Sequence, residues 1–135
     1  MGKDSQQTRA PLRNAGVVAL TTGDAARRTG LTSRAIRFYE DRGLIKPARS
    51  PLGGRQFSSD LLARLEVIAL ARSAGLSIEE ISELLLIGDV EGREPRRLRM
   101  IELCERKQQD LAQQGRRVAG VLQRLRSGES GRAAG

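Results

Sequence analysis

Apolar and polar positions divide the chain into segments of different character. Residues 1–18 (MGKDSQQTRAPLRNAGVV) are polar and without periodicity, and are expected to form a disordered arm. Order is expected from Leu20. Thr21 with Asp24 three residues on is a capping box, and predicts a short helix over about 22–28 that ends at Gly30. A turn through Gly30-Leu31-Thr32 follows. Thr32 or Ser33 then caps a second helix, Ser33 to Arg42, closed by Gly43 just past its end. Two short helices joined by a tight glycine-containing turn are the signature of a helix-turn-helix.

The next segment changes period. Pro47 disfavours helix at the residue before it, so Leu44-Ile45-Lys46-Pro47 reads as extended. Ser50-Pro51-Leu52-Gly53-Gly54 is a turn, and Arg55-Gln56-Phe57 a second extended piece. Strand, turn and strand after a helix-turn-helix make a wing. Ser58 or Ser59 caps a third helix, Asp60 to Ser73, stopped by Gly75. Its apolar positions, 61, 62, 65, 67, 68, 69, 70 and 71, are so dense that it should be mostly buried. Ser77 and Glu80 form a capping box for a fourth helix with Ile78, Ile81, Leu84 and Leu85 on one face. Residues 88–92 read as a linker. Pro95 suits the first turn of a last helix, about 95–126, roughly 48 Å long at 1.5 Å per residue.

That last helix carries one apolar stripe. Ile101, Cys104, Gln108, Leu111, Gly115, Val118, Leu122 and Leu125 alternate in steps of three and four. Such a stripe on a charged helix must be covered. The simplest cover is the same helix of a second chain, so a two-stranded homodimer is expected; folding back on its own domain is the alternative. Cys104 on the seam reads either as a small packed hydrophobe or as a thiol sensor or interchain disulfide. The predicted organisation is thus an arm (1–18), a winged-helix DNA-binding domain (19–90), a linker and dimerisation helix (91–127) and a flexible tail (128–135). The fold class is mainly α, with a small β wing.

Composition narrows the chemistry. The 135 residues contain no His and one Cys. Imidazole catalysis, imidazole-bound metal and intrachain disulfides are therefore excluded, and no cofactor or metal is expected. No stretch approaches the ~20 apolar residues of a membrane span, so a cytoplasmic protein is expected. The net charge of +8 suits a polyanion partner. Residues 20–57 hold eight basic and three acidic residues, so the basic excess falls on the helix-turn-helix and wing. At 100° per residue, Arg34, Arg37, Phe38 and Asp41 share one side of the second helix, with Arg42 at its edge; Ile36 and Tyr39 face the other way. Arginine can read guanine in the major groove or grip phosphate, and an aromatic ring can contact a thymine methyl. On one helix alone this would equally be a solvated cationic face. Beside the turn, the wing and the basic block, double-stranded DNA is the expected partner. In the wing, Arg49 and Arg55 are placed to reach backbone, with Lys46 nearby. An RNA reader would need an aromatic stacking platform that three aromatics do not make.

The run GDAARRTGLTSRAIRFYEDRGLIKPARS, continued by GGRQFSSDLLARLEVIALARSAGLSIEEISELL, resembles the MerR family of bacterial transcription regulators over about 20–87. TGLTSRAIRFYEDRGLIKP carries most of the specificity. The resemblance implies a winged helix with a second helix pair and a dimerising antiparallel coiled coil. It also implies binding to palindromic promoter sites, which the protein bends and untwists so that RNA polymerase can engage both promoter elements. Carried over by position, Arg34, Arg37 and Phe38 are recognition-helix contacts, and Arg55 and Phe57 wing contacts. Gly54 stands where the family commonly has an aromatic residue. Metal-responsive members have cysteine ligands after the dimer helix, cluster-binding members four cysteines there, and drug-binding members a large further domain. Here Glu94-Pro95 opens the helix and SGESGRAAG follows it. Three effector routes are left open: a small ligand in the dimer cleft, a redox signal through Cys104, or none. The alternative to a regulator is an architectural or recombination-accessory DNA-binding protein with a MerR-like head. An enzyme is not expected, because no nucleophile–base pair or metal constellation is present.

Overall fold

The computed structural model describes residues 20–128; the expected arm and all but the first residue of the expected tail lie outside them. Helix α1 spans Thr22–Thr29. Its capping box is formed in both directions: the Thr21 N–H donates to Asp24 Oδ2 (3.0 Å) and the Asp24 N–H to Thr21 Oγ1 (3.1 Å). Gly30 ends the helix at φ 78°, a conformation that favours glycine. Helix α2 spans Ser33–Asp41, with Thr32 accepting from the Ala35 N–H at 3.0 Å. Arg42, expected inside this helix, is its C-cap instead.

The wing is a two-stranded antiparallel ribbon, β1 Ala48–Arg49 and β2 Arg55–Gln56. Its turn is closed by Ser50 N–H to Gly54 O (2.7 Å) and Gly53 N–H to Ser50 O (2.8 Å). Just past β2, Phe57 exchanges backbone hydrogen bonds with Leu20, in both directions. That bridge ties the first described residue to the wing's base. Sequence reasoning missed it, because a lone bridge has no period.

Helix α3 spans Ser59–Ser73, α4 Ile78–Val90 and α5 Arg93–Ser127. The expected linker over 88–92 shrinks to Glu91 and Gly92, because α4 continues through Val90. A glycine inside a helix costs about 1 kcal/mol relative to alanine. At Gly88 that cost accompanies a close approach: the Arg96 side chain lies where a methyl group would come within 2.7 Å of its guanidinium. Helix α5 starts two residues before Pro95, which still sits in the first turn, where its missing N–H is no loss.

One core holds the domain together. Ala25, Ile36, Tyr39, Leu44, Ile45 and Phe57 meet Leu62, Leu65, Ile68 and Ala71 of α3, Leu76, and Ile81, Leu84 and Leu85 of α4. Leu103 of α5 joins them, with Met100 against the rim. So the first turns of α5 do fold back on their own domain. From Gln108 to Gly128 every residue is exposed. The third helix is less buried than its composition suggests: Leu70 is 62% exposed, on the face opposite the buried Leu62–Leu65–Ile68 row. Among the described residues, no helix is long and apolar enough to cross a membrane.

Candidate nucleic-acid interface

Helix α2 presents a basic face to solvent because its other face is sunk in the core. Ile36 and Tyr39 are buried, and Arg34, Arg37, Phe38 and Asp41 are exposed. Among the described residues, no hydrogen bond or ion pair holds Arg34 or Arg37, so both guanidiniums keep all their donors for a ligand. Phe38 is set differently. Its ring packs edge-on against Tyr39, with centroids 5.7 Å apart and planes at 65°. The Arg42 guanidinium stacks over it, 5.2 Å from the ring centroid. The ring is thus held from behind by the core and from the side by a cation, still 43% exposed. Arg42, as the C-cap, supports Phe38 at the edge of the face.

The wing arginines lie beside α2 and are not free. Arg49 and Arg55 both ion-pair with Glu40 of α2. Glu40 drew no attention in the sequence, since an acid on a basic helix reads as a solvated residue; only the fold brings three distant positions together. Lys46 is exposed at the wing's base. Phe57 is corrected: it is completely buried and belongs to the core beneath the wing, so it is not a surface available to DNA. Strand alternation puts Phe57 on the side of Arg55 and does not tell them apart; what buries Phe57 is its place just past β2, where it bridges Leu20 and joins the core.

A second tie, also unread in the sequence, runs through Arg64 of α3. Its Nε–H donates to the Leu44 carbonyl (2.7 Å), and Nη1 donates to both carboxylate oxygens of Asp89 (2.9 and 3.1 Å). One side chain thereby joins the exit of α2 to the last turn of α4, at Asp89, four residues before α5 begins. At the entrance to α1, the Thr21 backbone N–H and then its hydroxyl hold the Asp24 carboxyl below its usual range, helped by Arg27.

The expected seam on α5 is uncovered in the single chain. Ile101, Leu111, Val118, Leu122 and Leu125 are all exposed, and Cys104 is half-buried. Where the seam meets the domain, a cleft of about 610 Å³ is lined by Leu70, Ala74, Met100, Ile101, Cys104 and Leu111.

Known proteins carry the same arrangement. The family model described as MerR HTH family regulatory protein matches residues 20–86, and that described as MerR, DNA binding matches residues 62–127. A crystal structure from Listeria monocytogenes assigned to MerR family transcriptional regulators is 30% identical, covering 79% of this chain and 80% of its own, with a TM-score of 0.52. The chain belongs to the MerR family. The two MerR matches together run from α1 to the end of α5. The HTH-type transcriptional regulator CueR of Salmonella typhi is 43% identical over 67 residues, 49% of either chain. The chain thus spans about half the length of the curated MerR-type relatives it matches. The fold is also that of HiNmlR, a MerR family regulator lacking the sensor domain and bound to promoter DNA (TM-score 0.56, 23% identity, 84% of this chain and 85% of that one).

Proposed function

We propose that the chain is a sequence-specific transcription regulator that binds a palindromic site in double-stranded DNA as a homodimer. The observation that carries this is the outward face of α2: two unpaired arginines beside an aromatic ring braced from two sides. Arg34 and Arg37 read base edges or grip phosphate, Phe38 supplies apolar contact, and Arg49 and Arg55 of the wing reach the backbone. Phe57 has no part in this contact, and Arg42 serves chiefly by bracing Phe38. The uncovered stripe on α5 supports pairing with a second copy, which places two identical reading heads on one duplex. Two-fold symmetry in the protein asks for an inverted repeat in the site.

The dimer acts by bending and untwisting promoter DNA, so RNA polymerase in the cytoplasm is its further partner. That one fold neighbour was solved on promoter DNA supports a promoter role over the architectural alternative. The chain's own residues name no effector.

Fluorescence anisotropy over a salt series tests the reading. The probes are a duplex enriched by the chain from a random pool and a shuffled version of it. The logarithm of the association constant should fall with log salt by about 0.9 per phosphate contacted. The enriched duplex should bind far more tightly than the shuffled one. Equal affinity for both would favour the architectural role.

A further inference from the structure

Glu40 spans the two strands of the wing with one carboxylate. Its Oε1 accepts from Arg55 Nε at 2.5 Å and its Oε2 from Arg49 Nη2 at 3.1 Å. Arg49 and Arg55 are also register partners, directly opposite each other on β1 and β2. Like charges in that relation repel. The acid that offsets this repulsion comes from the reading helix, not from the wing. Glu40 is 19% exposed and Arg55 25%, so this pairing is screened less than an ordinary surface ion pair. With two residues per strand, the ribbon has little backbone pairing to fix its lean against α2.

We propose that Glu40 is a positioning residue that sets the specificity of DNA binding. It holds the two wing arginines at a fixed place beside the α2 reading face, and it withholds part of their charge from phosphates. An acid so placed weakens binding to every duplex. The loss is offset only where the duplex has the shape that brings phosphates to both guanidiniums while α2 sits in its groove. Specificity is a difference of affinities, and a penalty on wrong partners raises it. The proposal rests on the DNA-binding reading above.

The test uses the full chain, with the pool-enriched and shuffled duplexes as probes. Glu40→Gln should bind the shuffled duplex more tightly than the wild type does. Its salt slope there should steepen by about 1 to 2, one phosphate for each arginine released. The ratio of enriched to shuffled affinity should fall about threefold or more, the size of a coupling between neighbouring charged groups. A merely structural role would lower both affinities together and leave the slope unchanged; that result overturns the proposal. In an Arg49→Ala/Arg55→Ala background the slope change should vanish; if it persists, Glu40 does not act through the arginines and the proposal fails. Glu40→Asp, which withdraws the charge by one methylene, should shift the ratio the same way by less. Should Glu40→Gln not fold, this variant carries the test, and an unchanged ratio in it refutes the proposal. A wild type without preference between the duplexes would instead refute the DNA-binding reading itself, and the proposal with it.

Discussion

Arg37 and Phe57 stand twenty residues apart and separate contact from support. Arg37 is exposed and unpaired on the basic face of α2. Arg37→Ala should leave the fold intact, weaken binding by roughly 1–3 kcal/mol and relax preference at one base pair. Anisotropy on single-substitution duplexes checks this; an unaltered preference would remove Arg37 from the readout. Phe57→Ala should instead destabilise the domain by about 3–5 kcal/mol, through the cavity left in the core. Urea denaturation measures that, and an unchanged midpoint would contradict it. Asp24 has a pH signature. Its folded pKa lies below the unfolded value of about 3.9, so its contribution is present above that value and is lost as pH falls through the lower folded one. Asp24→Asn should therefore flatten the acid limb of the stability profile below about pH 4, and identical acid limbs would count against the capping box. At this scale the sequence separated Ile36 and Tyr39 from Arg34, Arg37 and Phe38 by helical angle alone. It misplaced Phe57, because alternation groups Phe57 with Arg55 and the bridge to Leu20 beside which it is buried has no period. It could not reveal Glu40 or Arg64, whose partners lie 9 to 25 residues away.

The elements were legible where they are capped. Thr21 with Asp24, Thr32, Ser58, and Ser77 with Glu80 all cap as their spacing indicates. Such caps supply donors and acceptors that a helix end otherwise lacks. Ser77→Ala should cost about 0.5–2 kcal/mol of stability, read from thermal or urea unfolding, and a neutral substitution would show that packing alone fixes the start of α4. Boundaries failed where tertiary contact overrides local propensity. Gly88 reads as a break, yet α4 continues through it under the Arg96 side chain. The apolar run of α3 reads as all buried, yet Leu70 is left outside because one face alone meets the core.

For the whole molecule, α5 divides into a docked part and a free part. Leu103 belongs to the core and Met100 packs against it, while every residue from Gln108 to Gly128 is exposed. The heptad stripe was legible because its period does not depend on the fold; the docking of its first turns was not, since Leu103 lies off the stripe. Truncation before Leu103 would confuse folding with association. The cleaner variant is Leu111→Lys with Leu122→Lys. In the full chain it should leave the domain folded and shift sedimentation from dimer to monomer; a dimer that persists would place the interface elsewhere. The most direct test of the whole account is selection of duplexes bound by the full chain from a random pool, followed by sequencing. Two identical heads joined through α5 should enrich a pair of inverted half-sites at one fixed spacing. A single unpaired half-site, or no enriched sequence at all, would contradict a dimeric, sequence-specific regulator.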